Sequence, residues 1–262
     1  MKSLGRMLSV AAVAATLAVP ALAEDVVIVF KTGEQGEGGR STQYFSSERM
    51  RSADGERDTI FEYGTGTIVT IDHKKKEWSQ TSLEEIQEAM KKVNAQMAQM
   101  QAQMEAMPAA MRDRMAKMMG GMAGEVTVTK GGTREVAGYP TQEYVLTMGE
   151  GFTMHQWNTT AVTLPVPVAE LRKLAAFTGP MAMLASNPLF KGFAQLAEKM
   201  KEIEGLTLAD STSMKMMGRG SESSREATEV RKGPIPAADF DVKALAPGYK
   251  KVDSPLTKMG QK

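Results

Sequence analysis

Glu77-Trp78-Ser79-Gln80-Thr81-Ser82-Leu83-Glu84-Glu85-Ile86 is where the chain changes its period. Up to Thr81 the residues fall into short runs of strand-forming side chains broken by turn formers. From Ser82 the apolar residues recur at helical spacing. Ser82 with Glu85 fits a capping box, the serine side chain accepting from the Glu85 N–H while the glutamate reaches back. Beyond it Leu83, Met90, Met97, Met104, Met111 and Met118 stand seven apart. Ile86, Val93, Met100 and Met107 form a second set of the same period, so the two sets occupy the a and d positions of a heptad. The spacing predicts a helix over 82–119, kinked rather than reversed at Pro108 because the phase continues past it, and closed by Gly120-Gly121.

Working back toward the N-terminus, six strands are expected: Val26–Lys31, Ser41–Ser46, Arg49–Ser52, Thr59–Tyr63, Thr67–Asp72 and Lys76–Thr81. The stretches Gly33–Gly39, Asp54-Gly55 and Gly64-Thr65-Gly66 read as turns, with Asp54-Gly55 fitting a type I′ hairpin. Working forward, strands return at Glu125–Lys130, Thr133–Val136, Gln142–Met148 and Phe152–Thr159, with Gly131-Gly132 and the Gly149–Gly151 stretch as turns. A second helical region is expected over 167–204, interrupted at Gly179-Pro180 and Asn187-Pro188, with a narrow apolar seam of Leu189, Phe193, Leu196, Met200 and Ile203. Extended segments Leu206–Met217 and Ser221–Arg231 follow, then a Pro-rich stretch and a polar tail. Strands in a meander with segregated helices make an α+β fold.

The first residues form three zones: a basic start with Lys2 and Arg6, an apolar run from Met7 to Val19, and Ala21-Leu22-Ala23. This is the layout of a cleavable signal peptide over 1–23, which leaves residues 24–262 as a single soluble domain outside the cytoplasm, in the periplasm. The apolar run is shorter than the roughly 20 residues of a membrane-spanning helix. Without Lys2 and Arg6 the chain carries 30 basic against 31 acidic residues, a balance that argues against nucleic acid as partner. The absence of cysteine excludes disulfides, thiolate metal sites and a lipidated N-terminal Cys.

Enzyme signatures are scarce. Histidine occurs only as His73 and His155, and no nucleophile elbow, Walker loop, zincin helix or dinucleotide fingerprint is present, so no catalytic residue, metal or cofactor is expected. His73, in a basic turn, is either a solvated hairpin tip or an anion contact at a sheet rim. His155 shares its strand with Met154 but points to the opposite face, and reads as structural.

The stretches Tyr44–Arg51, Thr67–Trp78, Val136–Tyr139 with Glu143-Tyr144, and Pro247–Val252 resemble an uncharacterised family of exported bacterial domains similar to the lipoprotein carriers LolA and LolB. The resemblance implies a curved antiparallel half-barrel whose concave face is covered by helices over an apolar cavity. A non-enzymatic exported protein that binds a lipid, an acyl chain or a lipidated partner is the expectation. Met97, Met100, Met104, Met107 and Met111 are its candidate lining on the helix, with Phe45, Ile60 and Trp78 on the sheet. Methionine is flexible and polarisable, which suits a compliant apolar surface. The same stripe also fits plain core packing, a heptad seam for a protein partner, or a Cu(I) site built of thioethers.

Overall fold

The computed structural model describes residues 24–34, 37–89, 91–92, 95, 99, 125–149, 151–166, 195, 198–216 and 219–254. The expected signal peptide, Pro108, the Gly120-Gly121 cap and most of both helical regions lie outside the described residues. What is described is one twelve-stranded, almost wholly antiparallel sheet, open at both edges. Its strands are β1 (Val26–Glu34), β2 (Glu37–Phe45), β3 (Arg49–Ala53), β4 (Arg57–Glu62), β5 (Thr67–Asp72), β6 (Glu77–Thr81), β7 (Val126–Val136), β8 (Tyr139–Met148), β9 (Phe152–Thr159), β10 (Leu206–Met216), β11 (Arg219–Lys232) and β12 (Lys250–Lys251). The spatial order is β12-β6-β5-β4-β3-β2-β1-β11-β10-β9-β8-β7, so the first strand is central and pairs with the eleventh. Among the described residues the single parallel pairing is that of β12 with β6.

Three expected turns are corrected. Gly33–Gly39 is not a loop, because β1 and β2 run through it and only residues 35–36 separate them. Gly131-Gly132 does not end a strand either. It is a bulge within β7, where the register shifts between Lys130 and Thr133. At Asp54-Gly55 only the glycine has positive φ, since the Asp54 carboxylate accepts the N–H groups of Glu56 and Arg57 and holds a wider turn. The two-residue turn with both positions at positive φ is instead Ala137-Gly138, at φ 50° and 82°, between β7 and β8. The capping box forms as expected: Ser82 N–H donates to Glu85 Oε2 at 2.7 Å and Glu85 N–H to Ser82 Oγ at 3.1 Å, and residues 83–89 are helical.

Along β10 the pairing with β11 stops at Ala209, opposite Glu226, while the pairing with β9 continues through a bulge to Leu206. The sheet forks there. The wedge is filled from one side by Val26, Ile28, Phe30 and Ala227 and from the other by Val136, Leu208 and Ala209, with Val162 and Val166 across it. A second core of Val126, Tyr144, Leu146, Met148 and Phe152 lies under β7 to β9. A third, of Ile60, Val69, Ile71, Phe240 and Ala246, forms where the C-terminal stretch returns over β4 and β5.

Gly205 enters β10 at φ 85°, and a Cβ there would lie 2.5 Å from the Thr159 carbonyl oxygen. Gly55 has nearly the same φ, but a Cβ on it meets nothing. Gly55→Ala should cost about 1–2 kcal/mol for the left-handed backbone alone, and Gly205→Ala more, because the backbone oxygen cannot yield. Urea unfolding of both variants checks the order.

Candidate functional site

Side chains directly opposite each other on neighbouring strands share a face. Val26, Phe45, Met50, Phe61 and Ile68 are consecutive partners across β1 to β5, and their face joins the central core. Tyr44, Arg51, Ile60 and Val69 are the alternate partners and lie on the other face. Two of the three sheet candidates are thereby parted from the first. Phe45 is in the central core, Ile60 is fully buried in the third core, and Trp78, opposite Ile71, is half-buried beside Ile60's core with the Lys251 ammonium 4.9 Å over its ring. The structure does not bring the three into one pocket. Met97, Met100, Met104, Met107 and Met111 lie outside the described residues.

The opening of the methionine helix sits on the Phe45 face at the β5–β6 end. Ile86 is buried, Leu83 packs on Gly66, and Glu84, Glu85, Gln87 and Glu88 are exposed. Both apolar sets of the heptad thus start turned toward the sheet. Beneath Ile86 lies a groove of about 370 Å³ lined by Ile68, Thr70, Ser79, Thr81 and Val252 together with the charged Arg57, Asp72, Lys75 and Glu77, and with Trp78 at its edge.

The opposite face is covered by residues 235–252, a stretch that the Pro-rich composition did not mark as structured. Ala237–Phe240 form a 3-10 turn, Val242–Leu245 one α-helical turn, and β12 extends the sheet. Two polar anchors hold it. Arg51, buried, donates to Asp58 Oδ2 at 2.8 Å and to the Asp239 carbonyl at 2.9 Å while lying 4.9 Å over the Tyr44 ring. His73 places Nε2 3.5 Å from Asp58 Oδ2 and Nδ1 3.2 Å from the Tyr249 hydroxyl. The basic turn therefore holds its histidine inward, and only Lys74, Lys75 and Lys76 are exposed. Between this stretch and the sheet a second groove of about 460 Å³ opens beside Val69, Trp78 and Tyr249.

A third groove, of about 600 Å³, crosses the other half of the sheet. Trp157, Ala209, Glu226, Lys31 and Arg40 are successive partners across β9, β10, β11, β1 and β2, so they form one row on one face. Arg134 of the edge strand β7 reaches over that row. Its guanidinium stacks 4.2 Å from the Trp157 ring centroid and donates to Glu226 Oε2 at 2.8 Å. Four strand spacings of about 4.8 Å each would separate β7 from β11 in a flat sheet. The bond therefore shows that the sheet curls toward this face. His155 continues the stack on Trp157, at 5.9 Å and 18°, and meets Glu143 Oε1 at 2.9 Å. The Gly131-Gly132 bulge makes room for that carboxylate: the Gly132 N–H donates to it, and a Cβ on Gly131 would overlap it. The hydrogen bond from His155 holds the Glu143 carboxyl below its ordinary value, the Gly132 N–H and the charges of His155 and Arg134 adding to it against partial burial.

Among the described residues no three His, Asp or Glu side chains gather to hold a metal ion, and no helix is long and apolar enough to cross a membrane.

No family model and no curated protein matches the chain. Solved structures similar to it include an uncharacterized conserved protein from Thermus thermophilus, at 7% identity and TM-score 0.42 over 89% of this chain and 92% of that one. MucB matches at 10% identity and TM-score 0.36, over 82% of this chain and 56% of MucB, so the chain spans little more than half of MucB. A DUF1329 family protein from Desulfovibrio piger matches at 10% identity and TM-score 0.23, over 86% of this chain and 92% of that one. Similarity of this degree assigns neither a fold family nor an activity to the chain.

Two outcomes follow from these contacts. Arg51→Ala removes the short charged partner of the buried Asp58 carboxylate, leaving it the more distant His73 ring, and should lower stability by about 3–5 kcal/mol, much of it recovered when Asp58→Asn is added, as measured by chemical denaturation. Glu143, held below the usual glutamate value of about 4.3, contributes stability that is present above that value and lost as pH falls through the folded-state value. Glu143→Gln should therefore lower the thermal midpoint slightly at pH 6, and the difference should shrink steadily as the pH is lowered through the acid range. A pH-independent difference would refute the assignment.

Proposed function

We propose that this chain is a non-enzymatic exported binding protein whose methionine helix covers an apolar face of the sheet and holds a lipid, an acyl chain or a lipidated partner between them. The observation that carries the reading is the orientation of the helix at its start. Ile86 and Leu83, which open the two heptad sets, turn onto the sheet, and the glutamates between them face out. A seam that begins against its own sheet favours a cavity lid over a coiled coil with a second chain. The groove beneath Ile86 is mixed: Ile68, Ile86 and Val252 give it an apolar part that the seam faces, while Arg57, Asp72, Lys75 and Glu77 make the rest of its wall polar, so an acyl chain would have to lie on the Ile68 part and follow the helix from there. Binding there is driven by apolar burial at about 25 cal/mol per Å², which favours long chains and discriminates little between them.

The test uses protein exported by its own signal. Its intact mass should begin at Glu24, and organic extraction should yield a long-chain lipid or leave a protein that takes up a fluorescent fatty acid. Replacing Met97, Met100, Met104 and Met107 together by Leu should leave the fold and that uptake nearly unchanged, because such swaps cost less than about 1.5 kcal/mol. An empty extract with no uptake sinks the lipid reading. Stoichiometric Cu(I) binding that vanishes in the Leu variant would replace it with metal handling, since Leu has no lone pair to offer.

A further inference from the structure

The curl that brings Arg134 onto Glu226 encloses a groove with an unbalanced charge. Across its row Lys31 stands directly opposite Arg40 on one side and Glu226 on the other, and Glu226 is already bound by Arg134. The lining adds Arg225, which is paired with Asp210, so with Arg134 on Glu226 the unmatched cations are Lys31 in the lining and Arg40 opposite it on the next strand. Like charges directly opposite on paired strands destabilise a sheet, and among the described residues neither Lys31 nor Arg40 forms an ion pair. The next row of the same face is made of small residues, Ser211, Ser224, Gly33 and Gly38, each the partner of the one before. Those four line the groove along with Lys31 and Arg134. A Cβ on Gly38 would meet no atom within 4 Å, so the packing of the chain itself does not require glycine there. Glycine in a strand interior weakens it unless something approaches the backbone closely.

We propose that this groove is a binding site for a phosphate-type anion, held by Lys31 and Arg134 of its lining over the small-residue floor, with Arg40, the cross-strand partner of Lys31, adding its charge from outside the lining. Arg134 is stacked on Trp157 and pinned by Glu226, which presents its remaining N–H donors in a fixed plane suited to phosphate oxygens. Lys31 supplies a compact charge from the floor. Glu226 sets the position of Arg134 and opposes the anion, so it weakens binding while ordering the site. The volume exceeds that of a lone ion, leaving room over Gly33 and Gly38 for the group that carries the phosphate. The proposal is independent of the apolar seam: its residues lie in strands that contribute nothing to the groove under Ile86.

Trp157 reports on this groove and Trp78 on the other two, and the chain has no further tryptophan. The experiment therefore follows fluorescence of the full chain in a Trp78→Phe background during titration with inorganic phosphate and with monododecyl phosphate below its micelle concentration. Potassium chloride at matched ionic strength is the control. A saturable change is expected with phosphate and not with chloride. Lys31→Ala with Arg40→Ala should weaken binding at least tenfold, and so should Gly38→Val, which fills the floor with a strand-forming side chain. Glu226→Gln should tighten binding several-fold, a direction that a merely structural role for Glu226 would not give. Thermal unfolding of each variant without ligand shows whether it is folded, and phosphate should raise the midpoint of the parent but not of Gly38→Val. Dodecyl phosphate binding far tighter than phosphate identifies the anion as the headgroup of an amphiphile, and equal affinity identifies a free phosphate. No saturation, an equal response to chloride, or Gly38→Val binding as the parent does would overturn the site.

Discussion

The pairing of β1 with β11 is the contact on which the remaining architecture hangs. Val26 to Phe30 are buried, and buried backbone N–H and C=O groups must find partners on both sides. β2 satisfies one edge through a short local hairpin. The other edge is satisfied only by Ser223 to Lys232. That ladder joins the meander of β2 to β6 to that of β7 to β11, and without it neither the forked central core nor the row from Trp157 to Arg40 exists. The bulge at Thr228 within the ladder lets β11 follow β10 above it and β1 below it, which is how one strand serves both arms of the fork.

Much of the strand order was legible because alternation and turn residues are local. Each of the eleven longer strands overlaps an expected extended segment, although β1, β2 and β7 run on through glycines expected as turns, and the capping box at Ser82 was visible as a four-residue pattern whose hydrogen bonds need nothing beyond themselves. The glycines were harder. Asp54-Gly55 has the sequence of a tight hairpin, yet the carboxylate of Asp54 finds two N–H groups and stabilises a wider turn. Ala137-Gly138 carries no comparable signal, and its geometry is imposed by two long strands that must meet in register. At Gly131-Gly132 the bulge is required by a carboxylate eleven residues further along, a demand that no window on the sequence contains.

The candidate residues divide along the same line. That Phe45, Ile60 and Trp78 would be buried or half-buried could be read from their type. Which face each occupies depends on turn lengths, because one residue more or less in a turn moves a side chain to the other side of the sheet. The turns at Ser46 to Glu48 and Asp54 to Glu56 set Ile60 against Arg51 and not against Met50. The polar row was less accessible still, since Lys31, Arg40, Trp157 and Glu226 come from four strands and become neighbours only through two long-range registers, β9 with β10 and β11 with β1. The C-terminal stretch was hidden by its own prolines, which signal loop but equally suit a chain laid flat over a finished surface and anchored by Arg51 and His73.

The order of the strands also sets a clock. Glu34, the last residue of β1, precedes its partner Ser223 by about 190 residues, so at ribosomal rates of roughly 5–20 residues per second the first strand is made some 10–40 s before its second neighbour. During that interval Val26-Val27-Ile28-Val29-Phe30, an uncharged run of strongly strand-forming residues, has one edge bare and is the kind of segment that pairs with identical segments on other chains. A nascent chain with this topology depends on being held extended, or on dilution, until its eleventh strand arrives. For a protein carried across a membrane before folding, the same delay is an advantage, because the sheet cannot lock prematurely on the wrong side.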